Sequence, residues 1–227
     1  PVEMTVRPMQ RLAVSVYASG KLTSVSRHNM ANEFLWRADG NQSGDEGGQG
    51  FTRINNKLQT STLLIDSLDV QTSKPTRVLV TFGDSITDGA VPDPAMPLYS
   101  SNHALGTDVR YPDFLARRMV AANMPVSVVN AGISGNRLLA PGLLPIFGPS
   151  GLSRLQYDVI GVSGATDVLM LIGINDLSMA VFPNAANVIH GMKGAIAQFR
   201  QAGLRVVVGT ILPSKGYAFG LLLAGRP

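Results

Sequence analysis

At 227 residues, with 45% hydrophobic and 15% charged side chains, the chain is long enough for one sizeable core and a smaller appendage. Its 19 Lys and Arg against 15 Asp and Glu leave +4, yet the 14 arginines are scattered and only Arg117 and Arg118 are adjacent. The clustered cations of a nucleic-acid face are therefore missing. The absence of Cys excludes disulfides and thiolate metal sites, and no apolar run approaches the ~20 residues of a spanning helix.

From Arg11 to about Gln71 the pattern is alternation, with Leu12, Val14 and Val16 on one face and Arg11, Ala13, Ser15 and Tyr17 on the other. Period two predicts half-buried strands here, and again at Leu22 to Arg27, Phe34 to Trp36 and Ser61 to Val70. Between them, ADGNQSGDEGGQG at Ala38 to Gly50 has the composition of an exposed loop. Residues 1–72 thus read as a small β-rich module with few strands for a sandwich, expected either to pair with the second part or to be incomplete, its first strands lost.

From residue 73 to residue 227 the grammar becomes strand, helix, strand, helix. A strand at Arg77 to Phe82 leads into a turn and a long Pro-rich loop, Ala90 to Val109. A helix follows at about Tyr111 to Asn123, with Leu115, Met119 and Val120 as its buried stripe and Pro112 allowed in the first turn. The next strand is Ser127 to Asn130, then come a helix at Gly151 to Ile160 and a strand at Asp167 to Ile172. A long helix covers about Asn184 to Ala202, its apolar positions Ala185, Val188, Ile189, Met192, Ile196 and Phe199 at helical spacing and Gly203 as its stop. The last strand is Arg205 to Leu212. Such alternation implies parallel pairing with right-handed crossovers, and so a three-layer α/β/α sandwich.

Three of these strands break off into small polar turns: GDSITDG at Gly83 to Gly89, NAGISGN at Asn130 to Asn136, and GIND at Gly173 to Asp176. Strand ends of a parallel sheet deliver side chains and free N–H groups to one crevice. A serine hydroxyl needs a base to take its proton and donors to hold the oxyanion. Ser85, following a tight exit at Gly83, is the candidate nucleophile; Asn175 offers a carboxamide donor. A glycine of the second turn offers an N–H that a ligand oxygen can approach closely, and both Gly132 and Gly135 are available, with Gly135 favoured.

At these residues the chain resembles the SGNH hydrolases, the GDSL family of esterases and lipases, over about Arg77 to Pro213. The resemblance implies a flavodoxin-like fold, Ser85 as nucleophile, and an oxyanion hole of the Ser85 N–H, the Gly135 N–H and the Asn175 side chain. It also makes Asn136 and Arg137 candidates for substrate or supporting contacts, and Asp84 an organiser of the first turn. Its expected substrate is a small-molecule, carbohydrate or lipid ester, with no cofactor, and a secreted or periplasmic location is favoured; no metal is expected, since Asp84 and Asp88 have no further ligands at coordinating spacing. The family's D-x-x-H block, which supplies the histidine and its orienting aspartate, has no match here. A truncated reading frame or a fragment is the simplest account, and Ser85 is then expected to be impaired. Of the three histidines, His190 is expected in solvent and His28 at a surface or between the two parts; His103 alone lies on the correct sheet edge, without an evident carboxylate partner. Asp84 and Asp88, four residues apart, read as turn and capping chemistry. The competing reading is a non-catalytic carbohydrate-interacting protein with a degenerate hydrolase core, and the oligomeric state is left open.

Overall fold

The structure, a computed structural model, describes residues 3–55, 61–93, 96–100, 105–178 and 184–211. The expected end of the last strand at Leu212 and the residue His103 lie outside them. The elements in chain order are β1 (Arg27–His28), β2 (Trp36–Arg37), β3 (Thr52–Arg53), β4 (Thr62–Leu63), β5 (Arg77–Gly83), α1 (Ser85–Asp88), β6 (Pro92–Asp93), β7 (Met96–Ser100), α2 (Tyr111–Ala121), β8 (Val126–Gly132), β9 (Ala165–Leu171), α3 (Ile174–Ser178), α4 (Ala185–Gln201) and β10 (Arg205–Val208).

The main sheet has the order β10-β9-β5-β8, all parallel. Numbered along the core this is 2-1-3-4 read from β8, the flavodoxin-like winding, whose order reverses between β5 and β9. β5 lies between two partners, which is why RVLVTFG is a nearly continuous apolar run and why its second half is wholly buried. Its Phe82 meets Phe199 of α4 edge to face at 6.0 Å, tying sheet to helix layer. Val80, Val168, Met170, Ile172, Leu138, Leu155, Val159, Val188, Ala195 and Leu204 join them in the core. α4 starts where Asn184 accepts hydrogen bonds from the Ala186 and Asn187 N–H groups, and it stops before Gly203, whose φ of +83° few other residues adopt.

At the first strand's other end, Asp167 of β9 is nearly buried and binds Arg77 of β5 at 2.5 Å and Arg205 of β10 at 3.0 Å. One carboxylate thereby laces three neighbouring strands. Burial alone would raise its pKa; the two guanidiniums and Thr166 outweigh that and hold it below the usual carboxylate value.

Several expectations are corrected. Residues 11–17 form no strand, and Val14, Val16 and Tyr17 are exposed. Alternation makes a strand only where a neighbour presents a free edge and a core to receive the apolar face. The first 70 residues contain two antiparallel pairs of two residues each among those described, β1 with β4 and β2 with β3, so the longer strands expected at Leu22 to Arg27, Phe34 to Trp36 and Ser61 to Val70 shrink to these. Ala38 to Gly50 is a loop, wrapped round the Asp45 carboxylate, which accepts from the N–H groups of Gly47, Gly48 and Gly50. The long loop after α1 contains the β6–β7 hairpin. The expected helix at Gly151 to Ile160 is a 3-10 turn at Gly151–Ser153 followed by a π turn at Gln156–Ile160. Val120 and Ile189 face solvent at the margins of their stripes. β10 is the edge of the four-stranded sheet and leaves Val207 and Val208 exposed.

Candidate active site

The pairing register brings the three turns level. Gly83 at the end of β5 stands opposite Gly132 of β8 and Leu171 of β9, so each strand releases its turn on the same edge of the sheet.

In the first turn, a side chain at Gly83 would place a Cβ 2.0 Å from Thr87 Oγ1 and 2.6 Å from the Leu171 carbonyl, so only glycine fits. Asp84 caps α1, its carboxylate accepting from the Ile86 N–H at 3.0 Å. Ser85 opens α1 half-buried, and the helix closes when the Gly89 N–H returns to the Ser85 carbonyl at 3.0 Å. Among the described residues, no hydrogen bond reaches the Ser85 hydroxyl.

The second turn is sewn to the first. The Ile133 N–H donates to the Gly83 carbonyl at 3.1 Å, and Asn130 donates to the Thr87 carbonyl at 2.9 Å while accepting from the Gly132 N–H at 2.9 Å. A Cβ at Gly132 would lie 2.2 Å from the Asp88 nitrogen, and one at Gly135 2.2 Å from the Phe147 ring. Gly135 also has a φ of +75°, so both its conformation and the ring against it demand glycine. Close packing thus explains both glycines, but they differ in what their N–H groups do: that of Gly132 is taken by Asn130.

The third turn joins the second. Asn175, at the start of α3 and 6% exposed, donates from Nδ2 to the Asn136 carbonyl at 2.8 Å. Asp176 accepts from the Leu138 N–H at 2.7 Å and the Leu139 N–H at 2.8 Å, pinning the chain that leaves the second turn.

Of the two expected substrate contacts, the Asn136 side chain is wholly buried: it donates to the Phe147 and Pro149 carbonyls and accepts from Arg154. These contacts brace the turn. Arg137 is half-buried with its guanidinium on the Pro141 carbonyl, at the rim.

Sequence reasoning missed Arg154. Its guanidinium, 2% exposed, donates to the Gly83 carbonyl, the Ala131 carbonyl, Asn136 Oδ1 and Asp158, and lies 4.2 Å over the Phe82 ring. It buttresses the first two turns from beneath. The signal in the sequence is weak: an arginine among Leu152, Leu155, Val159 and Ile160 in a stretch that also holds Ser153, Gln156 and Asp158. Burial foremost, with Asp176 nearby, raises the Asp84 carboxyl to about 6 against the opposing Ile86 N–H and Arg154. Of the histidines, His190 is exposed, and His28 lies against Asp88.

A flavodoxin-like sheet whose three turns meet on its carboxyl edge defines the SGNH-type α/β core. The chain belongs to the GDSL-like lipase/acylhydrolase family, which residues 81–223 match. No curated protein matches it. Among solved structures it is similar to Est24, a carbohydrate acetylesterase from Sinorhizobium meliloti (18% identity, 66% of this chain and 77% of Est24, TM-score 0.52). It is also similar to the M. smegmatis aryl esterase (21% identity, 59% and 63%, TM-score 0.49) and to a variant of the esterase AlinE4 (18% identity, 63% and 64%, TM-score 0.46). The chain therefore spans less than two thirds of the length of the last two.

Proposed function

We propose that the chain is the core of a carboxylic-ester hydrolase that works through an acyl-Ser85 intermediate. The observation that carries this reading is the stitching of the three turns, Ile133 N–H to Gly83 carbonyl and Asn175 Nδ2 to Asn136 carbonyl, on one sheet edge. In the proposed chemistry the Ser85 oxygen attacks the ester carbonyl, and the negative charge that develops on the carbonyl oxygen is met by the Ser85 N–H, the Gly135 N–H and the free hydrogen of Asn175 Nδ2. Each such donor is worth about 2.7–4 kcal/mol where one has been removed from a protease. Gly135 is preferred to Gly132 because the Gly132 N–H already has an acceptor in Asn130.

The proton of Ser85 needs a base, and no D-x-x-H follows Asn175 in these 227 residues. Turnover by this chain is accordingly expected to be slow, sustained by the oxyanion donors and binding, which alone leave ~10³ to 10⁴ over water in serine proteases. The test is labelling with a fluorophosphonate probe followed by mass spectrometry. Slow modification at Ser85, absent in Ser85→Ala, is the expected result. Modification of a different serine, or an equal yield in Ser85→Ala, would overturn the reading.

A further inference from the structure

One side chain of the N-terminal segment reaches the proposed site. His28 of β1 places Nε2 2.8 Å from Asp88 Oδ1. Asp88 ends α1, the helix that Ser85 begins, and is 2% exposed. Its other oxygen, Oδ2, accepts from the Ser134 N–H at 2.9 Å and the Ser134 hydroxyl at 2.5 Å. Ser134 immediately precedes Gly135. A single buried carboxylate therefore joins the helix of the proposed nucleophile, the turn of the proposed oxyanion donor, and a histidine from far upstream.

The segment around His28 is held in place independently. Arg110 donates to the Ala31 carbonyl at 2.5 Å, Asn32 donates to the Gly89 carbonyl at 2.9 Å, and the Asn32 carbonyl accepts from the Gly106 N–H at 2.9 Å. The imidazole is thus delivered by a docked backbone.

We propose that His28 is a positioning residue: acting through Asp88, it fixes the turn carrying Gly135 against the helix carrying Ser85. This rests on the reading of the site given above. The physical reason lies in the arithmetic of Asp88's two oxygens. Ser134 satisfies one; without His28 the other is a buried acceptor with its partner gone, which costs more for a charged group than for a neutral one. That cost is relieved by turning the carboxylate or admitting water, and either change moves Ser134 and with it the Gly135 N–H. Two charged groups face the imidazole, Asp88 from α1 and Arg110 from the start of α2. Burial is the largest influence and lowers its pKa, but the hydrogen bond and charge of Asp88 outweigh burial and Arg110, and the net value is raised. The tether therefore carries its full charge at mildly acid pH and loses that charge, keeping at most the bond from a neutral N–H, as pH rises through that raised value.

Nuclear magnetic resonance on the isotope-labelled full chain tests this. The His28 ring and the Ser134 and Gly135 amides are followed from about pH 5 to about pH 9, across the range where a histidine titrates. Both amides are expected to shift with the midpoint of His28, above its ordinary 6.5. In His28→Gln that midpoint should vanish from both amides while α4 resonances stay in place. Fluorophosphonate labelling of Ser85 should also slow by roughly tenfold, since a misplacement of about 1 Å can cost ~10²-fold. Amides that stay flat through the His28 titration would overturn the proposal. Should His28→Gln fail to fold, the titration of the unaltered protein decides alone. If Ser85 is never labelled, the hydrolase reading fails, whereas the amide shifts still decide whether His28 sets the geometry.

Discussion

Two residues of the site combine tight constraint with a measurable consequence. Gly135 has a positive φ and a phenylalanine ring where a Cβ would go; Phe147, being 7% exposed, has little room to withdraw. Gly135→Ala is expected to lower stability by on the order of 1–3 kcal/mol and to abolish Ser85 labelling, both read against unaltered protein by urea unfolding and mass spectrometry. A variant as stable and as reactive as the parent would show that the turn is not built as described. Asp84 illustrates the opposite case, a group that folding disfavours in its charged form. Its carboxyl is raised from 3.8 to about 6, so the folded protein holds a proton there that the unfolded chain has released. Its contribution to stability therefore falls as pH climbs from about 4 through about 6, by on the order of 3 kcal/mol in all. Asp84→Asn retains an acceptor for the Ile86 N–H and removes the charge. We expect it to flatten urea midpoints across that window and to be no less stable than the parent at neutral pH; a clear loss of stability there would mean the ionised carboxylate is worth more than its burial costs.

Among the elements, α4 has ends set by identifiable chemistry. Asn184→Ala removes the acceptor for two N–H groups of its first turn and should cost about 1 kcal/mol, seen as a lower urea midpoint with unchanged slope. No change would indicate that packing of Val188, Ala195 and Phe199 alone fixes where the helix begins. α4 and the strands β5, β8 and β9 were legible in the sequence because their patterns record local rules: apolar runs for strands of a parallel sheet, spacing of three and four for a helix lying on them. The three turns were legible for the same reason, each following a strand. What escaped was decided at long range. Residues 11–17 alternate well enough for a strand but pair with no strand among those described. The stretch at Gly151 to Ile160 tightens and then widens, and between its two turns Arg154 reaches the Gly83 carbonyl, 71 positions earlier. The partner of Asp88 lies 60 positions away in a segment with no readable link to the turns. Such partners leave no periodicity behind.

Across the whole molecule, three titrating groups with opposite signs predict where stability peaks. Asp167, lowered beneath 3.8 by Arg77 and Arg205, contributes stability that is present above 3.8 and lost as pH falls through its folded value. Both arginines are substantially exposed, at 43% and 60%, so solvent screening keeps that acid step modest. Asp84 contributes a loss between about 4 and about 6 as pH rises. His28, raised above 6.5, contributes stability that is complete below 6.5 and disappears as pH rises through its folded value, when the segment from β1 onward loses its charged tie to Asp88. Summed, these three place the maximum at about pH 4 with two descending steps toward alkaline pH, and Glu33, whose carboxyl burial also raises, adds to the descent. Urea midpoints taken at about pH 4.5, 6, 7.5 and 9 would trace this curve. The two steps belong to different places and separate by substitution: Asp84→Asn should erase the lower one and leave the upper, whereas His28→Gln should do the reverse. Midpoints that climb from pH 4.5 to 7.5 would contradict the curve, since neither a carboxyl held protonated by burial nor an imidazolium held by a carboxylate gives that sign.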